Sequence, residues 1–304
     1  MTKARIALVA GILCISIFPI LVKLSLTPGL ISAFYRMAIA SVVILPYLLI
    51  SKKFEVPSVK NIILSIVCGT VFGADVAVWN IAIQESTATQ ATLLTNLSPV
   101  WVGVGAFLFL KNKPTNNFWI GTVIAIFGMV FLVGFSTFLN FNFDLAFCFG
   151  ILSGMLYAVY MLTSKNILND TAVVSFMTIS VVSSAVSLGI ISYFTGASFT
   201  GFSNLAWLVL VIQGLVCQLL AWLLISYATK NMRATRVSVS LLGQAVLATF
   251  LAWIFLDEKI TLQMIFGGLV LLFGIRITFY QKQLNVFKIF QKRKTKKVDL
   301  IVKP

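Results

Sequence analysis

From Ala82 to Gly128 the chain repeats itself at Ala228 to Gly274, 146 residues further on and without a gap. About a dozen aligned pairs are identical, among them Ala88/Ala234, Thr115/Thr261, Gly121/Gly267 and Gly128/Gly274. Both copies lie in almost continuously apolar sequence. Of the 304 residues, 60% are hydrophobic and 10% charged, where a soluble domain carries roughly 25% charged residues. Most of this chain therefore has no polar face to offer water, and its solvent is lipid. An internal repeat in such a chain predicts two similar helical bundles with a small-molecule site between them.

A hydrocarbon core about 30 Å thick needs roughly 20 apolar residues per helix, and ten such stretches can be drawn. They fall near Arg5–Leu24, Leu30–Ile50, Asn61–Ile83, Thr89–Leu110 and Phe118–Phe138, then Ala146–Lys165, Ala172–Thr195, Leu205–Thr229, Val237–Leu256 and Leu262–Gln281. Turn-forming residues punctuate them, as in Thr27-Pro28-Gly29 and Lys113-Pro114. The expected organisation is a first five-helix repeat over 1–139, a connecting loop over 140–145, a second repeat over 146–281 and a basic tail over 282–304. The fold class is an all-α membrane protein with two inverted five-helix repeats.

Loop charges give the inversion. With Lys3 and Arg5 cytoplasmic, ten spans place Lys52/Lys53/Lys60, Lys111/Lys113, Lys165 and Lys230/Arg233/Arg236 on that same side. The other side receives Glu85, Asp144, Asp257 and Glu258. Nine or eleven spans would scramble this segregation. Glu85 matches Asn231 in the repeat, and Lys111 matches Asp257, so equivalent turns carry opposite tendencies. Five spans per repeat, an odd number, make the halves face opposite ways. The expected location is the cell (inner) membrane, with both termini cytoplasmic.

Several function classes lose support. There is no histidine, which removes His-based metal ligation and a histidine proton relay. Cys14, Cys68, Cys148 and Cys217 sit singly in apolar runs, without the CxxC spacing of a metal or redox site. No nucleotide loop or catalytic dyad is present, so neither a cofactor nor an enzymatic activity is expected. The Lys-rich tail after Arg276 follows a membrane span directly, which points to an anionic cytoplasmic leaflet rather than nucleic acid as its partner. The sequence is compatible with a monomer or a homodimer.

Asp75 is the most unusual residue, an ionisable group in the middle of the third span. At the bilayer centre it costs at least about 2.5–3.5 kcal/mol on insertion scales, so it must face protein or water. Arg36, in the second span, is the expected electrostatic partner, since a paired charge is cheaper than an isolated one. Helical spacing then adds inward-facing groups. Trp79 follows Asp75 by one turn, and Asn96 and Pro99 share a face of the fourth span. Ser153 and Tyr157 do so in the sixth, Gln218 and Trp222 in the eighth, and Ser240 and Gln244 in the ninth. Asp75, Trp79, Asn96, Tyr157, Gln218, Trp222, Gln244 and Arg36 form the candidate substrate or coupling set. Pro19 and Pro99 interrupt helices and are candidate kinks or gates.

These residues also resemble a family. Phe34-Tyr35-Arg36 with Pro46, Asn96-Leu97-Ser98-Pro99, the Gly121/Gly128 and Gly267/Gly274 pairs and the acidic turn Phe255-Leu256-Asp257-Glu258-Lys259 are similar to the EamA-type unit of the drug/metabolite transporter superfamily. The resemblance covers roughly Ile6 to Tyr280 and recurs in both halves. Lys111-Asn112-Lys113 departs from it where the first half would carry its acidic turn. Gln244-Ala245 departs from it where the second half would carry a proline.

The resemblance implies movement of amino acids, nucleobase-like compounds or other small metabolites, often outward. The leading expectation is export of an amino acid or related polar metabolite by alternating access, with proton coupling through Asp75. Uptake or exchange of a nucleotide-like or phosphorylated solute is the alternative, and it would need more cavity cations than Arg36 alone. A non-transporting membrane scaffold with a recruiting tail is the reading from a different class.

Overall fold

In a computed structural model the described residues are 2–24, 26–51, 55–85, 88–134 and 144–280, and among them there is no β-strand. The basic tail, Lys52 and Lys53, and most of the connecting loop lie outside them. Eight helical stretches are long and apolar enough to cross a membrane, and Leu93–Phe109 and Leu262–Thr278 are shorter apolar helices. Together they give ten crossings, in the order expected.

The uninterrupted helices are Gly29–Ser51, Val59–Glu85, Asn116–Val133, Leu145–Asp170, Val173–Phe194 and Leu262–Thr278, which form spans two, three, five, six, seven and ten. The sixth starts at Leu145, inside the stretch expected to be loop, because the Asp144 carboxylate caps the Phe147 amide. The tenth ends at Thr278 rather than Gln281. Thr115 and Thr261, matched in the repeat, cap the fifth and tenth spans in the same way, accepting from Phe118 and Met264. An identical sequence pair thus does an identical local job twice.

The remaining spans are broken. The first runs as Thr2–Ser16 and Phe18–Lys23, divided at Ile17 beside Pro19. The fourth divides into Ala88–Thr95 and Ser98–Phe109, and the ninth into Ala234–Leu241 and Gly243–Leu256. Both of the latter breaks carry pairs of tight i→i−3 bonds: Leu97 to Leu94 and Val100 to Leu97, then Leu242 to Val239 and Ala245 to Leu242. Pro99 signals the first of these. The second has Ala245 in its place, so the break belongs to the architecture rather than to the proline. Pro99→Ala should therefore keep the break. Transport within about twofold of wild type and a small Tm shift are expected, and lost transport in a well-folded variant would show that the ring itself is needed.

The eighth span combines Asn204–Ile212 and Ala221–Asn231 with a π-helical stretch, Gln213–Leu220. With i→i+5 bonding, residues five apart stack. Gln213 and Gln218, five apart, are both buried.

Spans five and ten pack through glycines, and their contacts obey a two-fold rule. Gly121 meets Gly274, and Gly128 meets Gly267. Gly128 lies against Leu271 as Gly274 lies against Ala125, and Gly121 lies against Thr278 as Gly267 lies against Leu132. Each contact becomes its neighbour when 146 is added to one residue and taken from the other. Rising numbers on one helix meet falling numbers on the other, so the pair is antiparallel. The charge-based inversion is thus matched by side-by-side packing about a pseudo-two-fold axis.

Candidate functional site

Asp75 lies within the long third span and is 5% exposed. Its Oδ1 accepts a hydrogen bond from the Ser153 hydroxyl of the sixth span at 2.6 Å. Ser153 Oγ is in turn 3.0 Å from Thr95 Oγ1, the last helical residue before the fourth-span break. A carboxylate and two hydroxyls from three spans thus form one polar chain, and it ends where backbone continuity is lost. Buried polar groups need such partners, because an unpaired one costs roughly 1–3 kcal/mol.

The direct partner of Asp75 is Ser153, not Arg36. Arg36 is buried and lies with its guanidinium over the Phe18 ring, 4.5 Å from the centroid, while its Nε finds no hydrogen-bond partner among the described residues. Phe18 sits at the first-span break, so that break places an aromatic face over a buried cation. Arg36 and Asp75 still act on each other electrostatically, as expected, while the Ser153 hydroxyl gives the acid its direct hydrogen bond and the Phe18 ring gives the base its direct contact.

Beside the polar chain stands an aromatic wall. Phe72 stacks on Tyr160 at 4.5 Å and meets Trp222 edge-on at 4.8 Å, and Tyr157 and Tyr160 approach Trp222 at 6.2 and 5.6 Å. Trp222 is buried and its indole N–H has no acceptor among the described residues. Gln218, one turn before it, is 1% exposed with its Oε1 unpaired among the described residues. Buried groups left unsatisfied in this way are what a polar guest would complete.

The other expected residues fall apart from this group. Trp79 lines a cavity of about 180 Å³ at the end of the bundle bearing the Thr27–Gly29 turn, together with Phe18, Ser32 and Gln213. There the Ser32 hydroxyl donates to Gln213 Oε1 at 2.6 Å. At the same end, the Tyr35 hydroxyl donates to the Phe199 carbonyl at 2.7 Å, and Tyr35 packs edge-on against Trp207. Asn96 is half-buried within the fourth-span break and Pro99 is buried just beyond it, whereas Pro19 is exposed. Gln244 is half-buried after the ninth-span break and shares no hydrogen bond or ring contact with the Asp75 group among the described residues.

Sequence reasoning missed Thr95, Phe72 and Tyr160. Phe72 stands three residues before Asp75 and Tyr160 three after Tyr157, so helical spacing held a signal for both. Thr95 carried none, because its role depends on the helix break. At the opposite end, Arg5, Lys165, Arg233 and Arg236 line a cavity of about 270 Å³. Lys111, Lys165 and Arg233 line a neighbouring one of about 380 Å³. Of the basic residues expected on one side, Arg5, Lys111, Lys165, Arg233 and Arg236 converge at one end, while Lys52 and Lys53 lie outside the described residues.

Ten apolar crossings, an antiparallel crossing of the matched spans five and ten and a buried polar group shared by spans of both halves describe a multi-pass membrane transporter. The chain belongs to the EamA-like transporter family, whose pattern matches residues 2–134 and 144–280. It is 24% identical over 263 residues to the uncharacterized transporter YdfC of Bacillus subtilis (strain 168), covering 85% of this chain and 84% of the relative. An uncharacterized transporter of Archaeoglobus fulgidus is 24% identical over 255 residues, 81% of this chain and 86% of that one. A protein of known crystal structure superposes with a TM-score of 0.77 over 92% of this chain and 97% of its own, at 14% identity, a likeness of fold alone.

Proposed function

We propose that the protein exports a small polar metabolite, an amino acid or a related amine-bearing compound, across the cell membrane by alternating access. The carrying observation is the Asp75–Ser153–Thr95 chain beside the Phe72–Tyr160–Trp222 wall. A carboxylate suits a cationic amine, aromatic faces suit the cation and its apolar substituents, and the unpaired Gln218 and Trp222 groups suit a polar tail. Rocking of the halves about the glycine crossing of spans five and ten would expose this site to each end in turn. Asp75 is the titratable group on that path, so it is also assigned proton coupling. The convergence of Arg5, Lys165, Arg233 and Arg236 at one end supports a cytoplasmic N-terminus.

The test is counterflow in proteoliposomes loaded with a defined mixture of amino acids, polyamines, nucleotides and sugar phosphates, read by mass spectrometry. Selective exchange of amine-bearing solutes is expected. Exchange confined to the phosphorylated solutes would overturn the reading. Within it, Trp222→Leu should raise the half-saturating concentration about tenfold while leaving the maximal rate largely intact, as expected for loss of one aromatic face. An unchanged half-saturating concentration would remove Trp222 from the site.

A further inference from the structure

Away from the Asp75 group, a groove of about 470 Å³ lies between spans one, nine and ten. Its walls are apolar, with Leu8 and Ile12 buried at the floor and Leu272 exposed on the rim. Its head carries two arginines, Arg5 and Arg276, both on the exposed surface. Arg5 faces the Phe279 ring at 5.4 Å, and neither arginine has an ion-pair partner among the described residues.

The repeat shows that the scaffold does not require this groove. Gly11 abuts the Ala221 carbonyl where Ser153 meets Asp75. Ala221 matches Asp75 at the 146 offset, so spans one and six correspond at an offset of 142 (153 less 11). On that register Leu8 and Ile12 correspond to Gly150 and Gly154. Those glycines let the sixth span close on Leu94 and Thr95 of the fourth. In the other half the larger side chains hold the first span off the ninth, and the groove is the result. The two cations are equally specific to this side, since Arg5 corresponds to Phe147 and Arg276 to Val130.

We infer that this groove is a binding site for an anionic phospholipid, its phosphate held between Arg5 and Arg276 and one acyl chain laid along Leu8, Ile12 and Leu272. An apolar trough headed by unpaired cations matches the shape and charge of such a lipid, and basic pockets between spans are a recognised lipid-headgroup device. Ser240 and Gly243, which flank the ninth-span break, also line the groove. An occupant therefore packs directly against a backbone discontinuity that must flex if the halves rock.

The test uses the full chain in detergent with phosphatidylglycerol and phosphatidylcholine offered in equal amounts, and counts retained lipid by native mass spectrometry. Wild type should retain phosphatidylglycerol preferentially, and the double variant Arg5→Gln/Arg276→Gln should lose about thirtyfold of that preference. A second variant, Val246→Trp, fills the groove and keeps every charge. It should lose retention too, which separates the groove from general surface charge and from the basic tail. Retained preference in either variant, no preference in wild type, or full displacement by inorganic phosphate would overturn the assignment.

Discussion

Asp75→Asn is expected to lower transport by roughly ten- to a hundredfold, the value of a charge-assisted hydrogen bond of about 1.5–3 kcal/mol to the cargo, and to flatten its pH dependence. The substitution is nearly isosteric, and its amide oxygen can still accept from the Ser153 hydroxyl, so the bundle should fold and the Tm should hold. What disappears is the ability to carry a charge or a proton. Proteoliposome flux across a pH series reads both effects. A variant with unchanged rate and pH profile would remove Asp75 from the mechanism and leave it a helix–helix contact. Ser153→Ala makes a useful companion. It leaves the acid in place without its hydroxyl partner, and a functional Asp75 should then show an altered pH profile rather than a dead transporter.

The second large effect concerns stability. A Cβ on Gly267 would collide with the backbone of Leu132 and Gly128, and one on Gly274 with the backbone of Ala125 and Gly121. Backbone cannot step aside, so Gly267→Ala should separate spans five and ten at a cost of about 3 kcal/mol. The adjacent Gly268 is the internal control. There a new Cβ would meet only side-chain atoms of Val246 and Leu132, at ordinary contact distances from 3.5 Å. Gly268→Ala should be neutral or slightly stabilising through its better helix propensity. Thermal unfolding of the two variants in the same detergent decides the matter, and equal Tm values would refute the close crossing.

The scaffold was readable because its requirements are local and doubled. Thr115 and Thr261 cap equivalent helices, and Gly121, Gly128, Gly267 and Gly274 are the residues that a backbone-to-backbone crossing demands. Asp75 was readable as well, since an acid in an apolar run has few reasons to exist. Arg36 was readable as its electrostatic neighbour, but Ser153 as its hydrogen-bond donor was not, because that depends on which spans are neighbours. Trp79 shows the limit of face counting, because one turn beyond Asp75 it lines the cavity of Ser32 and Gln213 instead. The π-helical stretch at Gln213–Leu220 escaped entirely. It shifts the register of the eighth span without any change in apolar pattern, and so does the ninth-span break at Leu242, where no proline marks the place.

The paired crossing of spans five and ten has a consequence for origin. Each contact on it is answered by the same contact with the roles of the two helices exchanged. A chain of half this length, carrying only one such helix, would already possess a surface fitted to an upside-down copy of itself. To use it, that ancestor would have to enter the membrane in both orientations in similar numbers, which near-balanced loop charges permit. Fusing two copies removes the need for balance. The lysines near Lys111 and the acidic turn at Asp257 are then free to drift apart.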